Sequence, residues 1–374
     1  MIIQNGMIFD GMGGKPFVGD ILIEGDRIRK VSEHIRCDED VIDAKGCYVL
    51  PGFIDTMNYY GCQGPGWADD DTAETEKKIS PQMSVYYSFD YGNMNFQQLY
   101  HYGTTSVGII PSLKNIIGGK GSVFHTYALT NGEGLIKKDC FMVGAVENMS
   151  KSETDTYPMT RMGIFSGLYK ALRDAEEYSQ KEEEPYNSIE HLVPVIQGEM
   201  PLILYAETFC DMERVVHLME TFPNVIYSFS GCFGYSTAIK EIAPEETFYL
   251  LGDQTFFMNE NLRKIDYKQF CQGGMNLAIG NIGKYAAAGK ESLLWNGQLM
   301  FKHGYALEKV IQAMTSAPAR MLKVENKVGS IRPGLLADIT IWDKNPISRH
   351  DAVLKKVFIS GENVLHKERG TLCW

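Results

Sequence analysis

The stretch Val49-Leu50-Pro51-Gly52-Phe53-Ile54-Asp55-Thr56 divides this chain into two kinds of pattern. Two short apolar runs flank Pro51-Gly52, and the second ends on Asp55-Thr56. Proline cannot donate to a ladder and glycine weakens one, so the pair marks a break between strands. Upstream, the strands are short and crowded. Ile2-Ile3-Gln4-Asn5-Gly6 runs into a turn before Met7-Ile8-Phe9-Asp10. Asp20 to Glu24 and Arg27 to Val31 flank the two-residue turn Gly25-Asp26, a hairpin signal. Val41-Ile42-Asp43 follows. Strands this close cannot begin a βα barrel, and the first 50 residues predict a sandwich-like sheet.

Downstream of Pro51 the period changes. Apolar strands alternate with helix-like segments, the βαβ pattern of a parallel sheet. Thr104 to Ile110 reads as a buried strand, and Leu202 to Ala206, Val225 to Phe229 and Asn276 to Gly280 as later ones. Phe141 to Ala145 reads as a strand or the start of an insertion. Met162 to Tyr178 predicts a helix, with apolar residues at 164, 165, 168, 169 and 172. The charge run after it, Lys181-Glu182-Glu183-Glu184-Pro185, reads as a solvated helix end stopped by proline. A second helix is expected from Glu213 to Phe222. The tail returns to strands at Ala337 to Trp342 and Val357 to Gly361. Residues 1–50 and 330–374 are therefore expected to pair into one composite β-sandwich domain, around a barrel spanning 51–329.

With 374 residues, 44% of them hydrophobic, the chain has material for a barrel of ~250 residues and a smaller domain. The net charge of −11 argues against nucleic acid, whose binding needs a basic patch. Cysteines stand at 37, 47, 62, 140, 210, 232, 271 and 373 without a Cys-x-x-Cys pair. That scatter predicts reduced thiols in a cytoplasmic protein. No signal peptide is expected, and no apolar run approaches the ~18 residues of a membrane span.

Pro51-Gly52-Phe53-Ile54-Asp55 resembles the first barrel strand of the amidohydrolase superfamily, metal-dependent hydrolases with a TIM-like barrel. Thr315-Ser316-Ala317-Pro318-Ala319-Arg320-Met321-Leu322 is similar to the helix after that family's last barrel strand. Val328 to Gly334 with Ala337-Asp338-Ile339 is similar to its return to the sandwich. Both ends match in order, with a barrel-sized interval between them. The middle, Ile117 to Val123 and Pro158 to Gly163, is most similar to the imidazolonepropionase-related branch. The resemblance implies an α/β fold, a TIM-like (β/α)8 barrel plus a composite β-sandwich. It also implies a divalent ion at the strand ends, held by histidines and an aspartate, that lowers the pKa of water and polarises a carbonyl.

The residues at those positions depart from the family. Where it has His-x-His, this chain has Met57-Asn58-Tyr59. The resemblance places a histidine after Leu202-Ile203-Leu204, where Tyr205-Ala206-Glu207 stands. It places another after Tyr227, where Phe229 and Ser230 stand. It places an aspartate near Asn281 and Ile282. Methionine is a soft ligand and neutral tyrosine a poor one, so the zinc site is expected to be lost and no cofactor is expected. Met57, Tyr59, Tyr205, Glu207, Ser230, Asn281 and Ile282 are expected to line the former pocket.

Glu207 and His125 are the acid/base candidates, each weighed against a plain structural role. For Glu207 that role is pairing with an arginine such as Arg161. Ser228, Ser230 and Cys232 could act as nucleophiles only with a histidine base, from His125 or His101. Asp69-Asp70-Asp71 with Glu74 and Glu76 reads as a solvated loop. Gly118-Gly119-Lys120-Gly121 lacks the spacing of a phosphate loop.

The expected function is that of a non-catalytic homologue. It would bind a small molecule in the barrel mouth, or support an active paralogue in a mixed assembly, and a homo-oligomer also fits. The alternative is metal-independent hydrolysis of C–N bonds in cyclic amides, with Glu207 as acid/base. A plugged structural subunit is the third reading.

Overall fold

The computed structural model describes the whole chain except residues 37–39, 64–69, 94–95, 97, 153, 155, 181–186, 235–237, 253–273, 282–289 and 368–374. The charge run at 181–185 and the candidate Ile282 lie outside the described residues.

Five strands precede the break: β1 (Ile2–Ile8), β2 (Phe17–Glu24), β3 (Arg27–Ser32), β4 (Val41–Asp43) and β5 (Tyr48–Pro51). The hairpin forms as the Gly25-Asp26 turn requires, with Glu24 opposite Arg27. Eight strands follow in a second sheet: β6 (Phe53–Asn58), β7 (Thr104–Ile109), β8 (Ile117–His125), β9 (Leu135–Ala145), β10 (Leu202–Thr208), β11 (Tyr227–Gly234), β12 (Phe248–Leu251) and β13 (Asn276–Ile279). The tail gives β14 (Ile339–Trp342), β15 (Leu354–Ile359) and β16 (Glu362–Asn363).

Strands from both ends of the chain share the first sheet, in the order β16-β15-β14-β5-β1-β2-β3, with β4 on β1. β14 runs antiparallel to β5, setting Ile339 opposite Pro51 and Trp342 opposite Tyr48. Ile3, Ile21, Val49, Ile339 and Phe358 meet in its core. β5 belongs to this sheet and β6 to the next, so the chain changes sheets within Pro51-Gly52-Phe53. Gly52 has no space for a side chain, because a Cβ there would lie 2.0 Å from the Thr105 hydroxyl. Its N–H donates to the Asp338 carbonyl, pinning the crossover to the returning tail.

The second sheet is a nearly closed barrel in the order β6-β7-β8-β9-β10-β11-β12-β13. It departs from the expected eight parallel strands. β8 runs antiparallel to both β7 and β9, and the other seven run parallel. The reason lies in the connections. Segments 110–116 and 126–134 are too short for the dozen or more residues a parallel crossover needs.

The described helices that cover the barrel include α1 (Arg161–Ser179), α2 (Phe209–Met219), α3 (Ser292–Lys302), α4 (Leu307–Met314) and α5 (Ser316–Met321). α1 buries Ile164, Leu168, Ala171, Leu172 and Ala175, the spacing of one helical face. Thr160 caps it by accepting from the Gly163 N–H at 3.2 Å. α2 begins at Phe209, earlier than the expected Glu213, because Thr208 caps it there: its Oγ1 accepts the Asp211 N–H and donates to the Asp211 carboxylate.

Side chains complete the circle between β6 and β13. Thr56 Oγ1 donates to the Ile279 carbonyl at 2.7 Å. The Asn281 N–H and Nδ2 donate to the two carboxylate oxygens of Asp55, both at 2.8 Å. Ser292 Oγ, at the start of α3, donates to Asn281 Oδ1 at 2.7 Å. Asp55 and Asn281 are both buried.

Candidate functional site

The seven parallel strands bring their C-terminal ends to one face, where a barrel of this kind carries its chemistry. Met57 and Tyr59 sit at the end of β6, fully enclosed in the main core with Phe53, Ile54 and Leu113. The Tyr59 hydroxyl accepts from the Leu113 N–H at 3.1 Å, and burial pushes its phenol well above the ordinary value. Asn281, at the end of β13, is taken up by Asp55 and Ser292. Ser230 is buried on β11, and its hydroxyl finds no hydrogen-bond partner among the described residues.

Tyr205 and Glu207 lie two apart on β10 and so share a side of the strand. The Tyr205 hydroxyl donates to Glu207 Oε1 at 2.8 Å. Its ring lies over Gly231, where a Cβ would come within 2.8 Å of it and where the backbone φ is +92°. Glu207 is half-buried.

Arg161 does not pair with Glu207. It joins two other carboxylates, one of which the sequence reading missed. Its Nη2 donates to Glu147 Oε2 at 2.9 Å, its Nε to Asp211 Oδ1 at 2.9 Å, and its Nη1 to Asn148 Oδ1 at 3.3 Å. Glu147 follows the end of β9, and its Oε1 accepts the Glu207 N–H at 3.0 Å. Asp211 also accepts from Thr208 Oγ1 at 2.6 Å and Arg214 Nη1 at 2.8 Å. Two buried carboxylates thus share a guanidinium at the ends of β9 and β10.

Their protonation is asymmetric. Burial pushes the Glu147 carboxyl up to about 7, and the neighbouring Asp211 adds to the rise, against the Glu207 N–H and Arg161. Burial also pushes Asp211 up, but Thr208 and Arg161 outweigh it and hold the group below its ordinary value. The sequence signal for Glu147 was a carboxylate just past the apolar run Phe141 to Val146. It parallels Glu207 after Ala206.

His125 is at the wrong end. β8 is antiparallel, so its last residue lies beside the first residues of β7, opposite Ser106. His125 Nε2 stands 2.9 Å from Asp338 Oδ2, and both residues are buried. Asp338 Oδ1 accepts the Ser360 N–H at 2.8 Å. The candidate acid/base is therefore a tie between the barrel and the composite sheet.

The nucleophile reading loses its base by the same geometry. His101 immediately precedes β7, at the same far end, and burial pushes the Cys232 thiol far above its ordinary value. Asp70 Oδ1 accepts the Thr72 N–H at 3.0 Å within its loop. Asp69 lies outside the described residues. Lys120 of the glycine run stands 3.4 Å from Asp139 on the partner strand. Among the described residues, no three His, Cys, Asp or Glu side chains converge as a metal site would require.

Comparison with known proteins agrees with this architecture. The family model described as "Amidohydrolase family" matches residues 269–364. The amidohydrolase tasK of Hapsidospora irregularis is 21% identical over 388 aligned positions, covering 90% of this chain and 39% of the relative. A dihydroorotase of Thermoanaerobacter sp. is 28% identical over 167 positions, 44% of this chain and 33% of the relative. The chain thus spans two fifths or less of the length of these curated relatives. Neither bears the name of the imidazolonepropionase-related branch. An amidohydrolase structure from Thermotoga maritima superposes with a TM-score of 0.86 at 23% identity, covering 97% of this chain and 99% of that one. A structure of a Xaa-Pro dipeptidase with bound methionine superposes at 0.60 with 15% identity, covering 97% of this chain and 98% of that one. Both likenesses concern the fold. The matched C-terminal segment and the shared fold thus liken this chain to the amidohydrolase superfamily.

Proposed function

We propose that this protein is a non-catalytic member of the amidohydrolase superfamily, with the metal-binding positions converted to packing and internal hydrogen bonds. We read its barrel as a TIM-like variant in which one helical crossover is replaced by the β8–β9 hairpin. One observation carries the functional reading. The Tyr59 hydroxyl is committed to Leu113, Met57 is sealed in the core, and the Asn281 side chain is taken up by Asp55 and Ser292. A thioether, an engaged phenol and an engaged amide do not fit a hydrolytic zinc ion, which is held by imidazole and carboxylate. The filled strand ends favour a supporting role beside an active paralogue, in a mixed assembly or a homo-oligomer, over an open small-molecule site. Cys47, Cys62, Cys140, Cys210 and Cys232 are free, which supports a reducing, cytoplasmic setting.

Metal analysis of protein purified without chelator tests the reading. The expected zinc content is far below stoichiometric, with no tight zinc recovered on titration. About one tightly held zinc per chain would overturn it.

A second reading is favoured by the Glu147 carboxyl, which titrates near neutrality beside Glu207. A metal-independent hydrolase of cyclic amides would use Glu207 as acid/base, with Tyr205 holding its carboxylate. One placed acid/base group contributes roughly 10²–10⁴-fold, so such an enzyme would need activated substrates. On a panel of lactams and hydantoins, this reading expects turnover that Glu207→Gln lowers at least ~10²-fold. Absence of turnover, or turnover untouched by that substitution, would dispose of it.

A further inference from the structure

The barrel end opposite the mouth carries a concavity. It encloses about 500 Å³ between the start of β13 (Gly274 to Leu277), the turn Gly304-Tyr305-Ala306, α4 and α5. That volume falls within the range of small-molecule sites. Because β13 enters the barrel here, the cavity is separated from Tyr59, Tyr205 and Glu207 by the length of the strands.

Its electrostatic character runs against that of the chain. The protein carries a net charge of −11, yet the charged residues that line this cavity are Lys309 and Arg320, with no carboxylate on the wall among the described residues. Arg320 makes no ion pair among the described residues. Its guanidinium lies over the Phe248 ring, 5.2 Å from the centroid. Stacking of this kind fixes the plane of the fork and leaves its N–H edge for a ligand. Lys309 Nζ donates to Gln312 Oε1 at 3.1 Å, and Gln312 is itself held by donating to the Met12 carbonyl at 3.1 Å. A third cation, Lys240, stands over the cavity lining, its Nζ 3.3 Å from where a Cβ on Gly274 would be. Cations of one sign in a concave wall focus their field on whatever enters.

We propose that this cavity is a binding site for a small oxyanion, a carboxylate or a phosphate. Arg320 supplies a planar fork for two oxygens, and Lys309 supplies a point charge beside it. Both chemistries present the paired oxygens that a guanidinium matches.

Isothermal titration of the whole protein with inorganic phosphate and with succinate, at an ionic strength fixed by chloride, tests the proposal. Saturable binding of either is expected. Tighter phosphate binding assigns a phosphate-bearing ligand, and tighter succinate binding a carboxylate. Arg320→Gln should weaken binding about 10-fold or more, and Lys309→Gln should weaken it less. Arg320→Lys keeps the charge without the fork and should fall between wild type and Arg320→Gln. Arg320 and Lys309 are exposed, so these variants should keep the wild-type melting transition. Absence of saturable heat for both anions up to ~10 mM, or equal affinity in folded Arg320→Gln, overturns the proposal.

Discussion

Replacing Arg161 by alanine is expected to destabilise the fold by about 3 kcal/mol at pH 8, and by clearly less at pH 5. The substitution strips the shared guanidinium from Glu147 and Asp211, both buried. Breaking a buried ion pair from one side costs roughly 3–5 kcal/mol, because a charge stays behind without its partner. The lower figure applies because the Arg161 side chain is 35% exposed and Asp211 keeps Arg214.

The pH dependence follows from the direction of the Glu147 shift. Its carboxyl titrates at about 7 in the folded protein, above the ordinary carboxylate value. The folded state therefore holds a proton that the unfolded chain has already released. Glu147 lowers stability progressively as pH rises from its unfolded value through about 7, and adds no further loss above that. Without Arg161 the ionised form loses its counter-charge, so the folded carboxyl is pushed up further and the loss continues to higher pH. Asp211 acts oppositely: held below its ordinary value, it contributes stability above that value and loses it in acid. Urea unfolding of both proteins at pH 5 and pH 8 measures the effect. A loss under ~1 kcal/mol, or an equal loss at both pH values, would show that the cluster is no coupled unit.

Asp55→Ala should cost a similar or larger amount, about 3–5 kcal/mol. It removes the acceptors of both the Asn281 N–H and the Asn281 amide, in a place water does not reach. Each buried donor left unsatisfied costs about 1–3 kcal/mol. The site also joins β6 to β13, so the loss falls on the closure of the barrel. Asp55→Asn keeps one acceptor and should cost less. The readout is the urea midpoint at constant m-value. A change within ~1 kcal/mol for Asp55→Ala would mean that the barrel is closed by other contacts.

The barrel's first strand was legible because Pro51-Gly52 is punctuation that no side-chain environment can override. The hairpin at Gly25-Asp26 and the helix α1 were legible for similar reasons, each written in local periods and turns. β8 was not. Its sequence, Ile117-Gly118-Gly119-Lys120-Gly121, carries three glycines, and glycine weakens a strand. The structure uses those glycines for close approach. A Cβ at Gly121 would fall 2.2 Å from the Phe141 ring, and one at Gly119, with φ at +131°, 2.7 Å from the Met83 carbonyl. Neither neighbour is near in sequence, so no local pattern could announce them.

The candidate site divides the same way. Met57, Tyr59, Tyr205, Glu207 and Asn281 were found because they follow recognisable strands. What each one touches was not written locally. Glu207 reaches Tyr205 and the Glu147 carboxylate, Arg161 reaches across to Asp211, and Asn281 meets Asp55. His125 was misplaced for one reason, the reversed direction of β8, which sends the end of that strand to the far side of the barrel.

The sheet shared by the two ends of the chain sets an order of events during synthesis. β5 is complete early, but its neighbour β14 is not made until the whole barrel has been translated. Thr340 and Leu50, joined by a hydrogen bond, are 290 positions apart. Chains are made from the N-terminus at about 5–20 residues per second, so the β5 edge waits on the order of 15–60 seconds for its cover. An uncovered strand edge is a template for pairing with another chain. The nascent protein is thus most exposed to misassembly late, when its barrel is already in place and only the last three strands are missing.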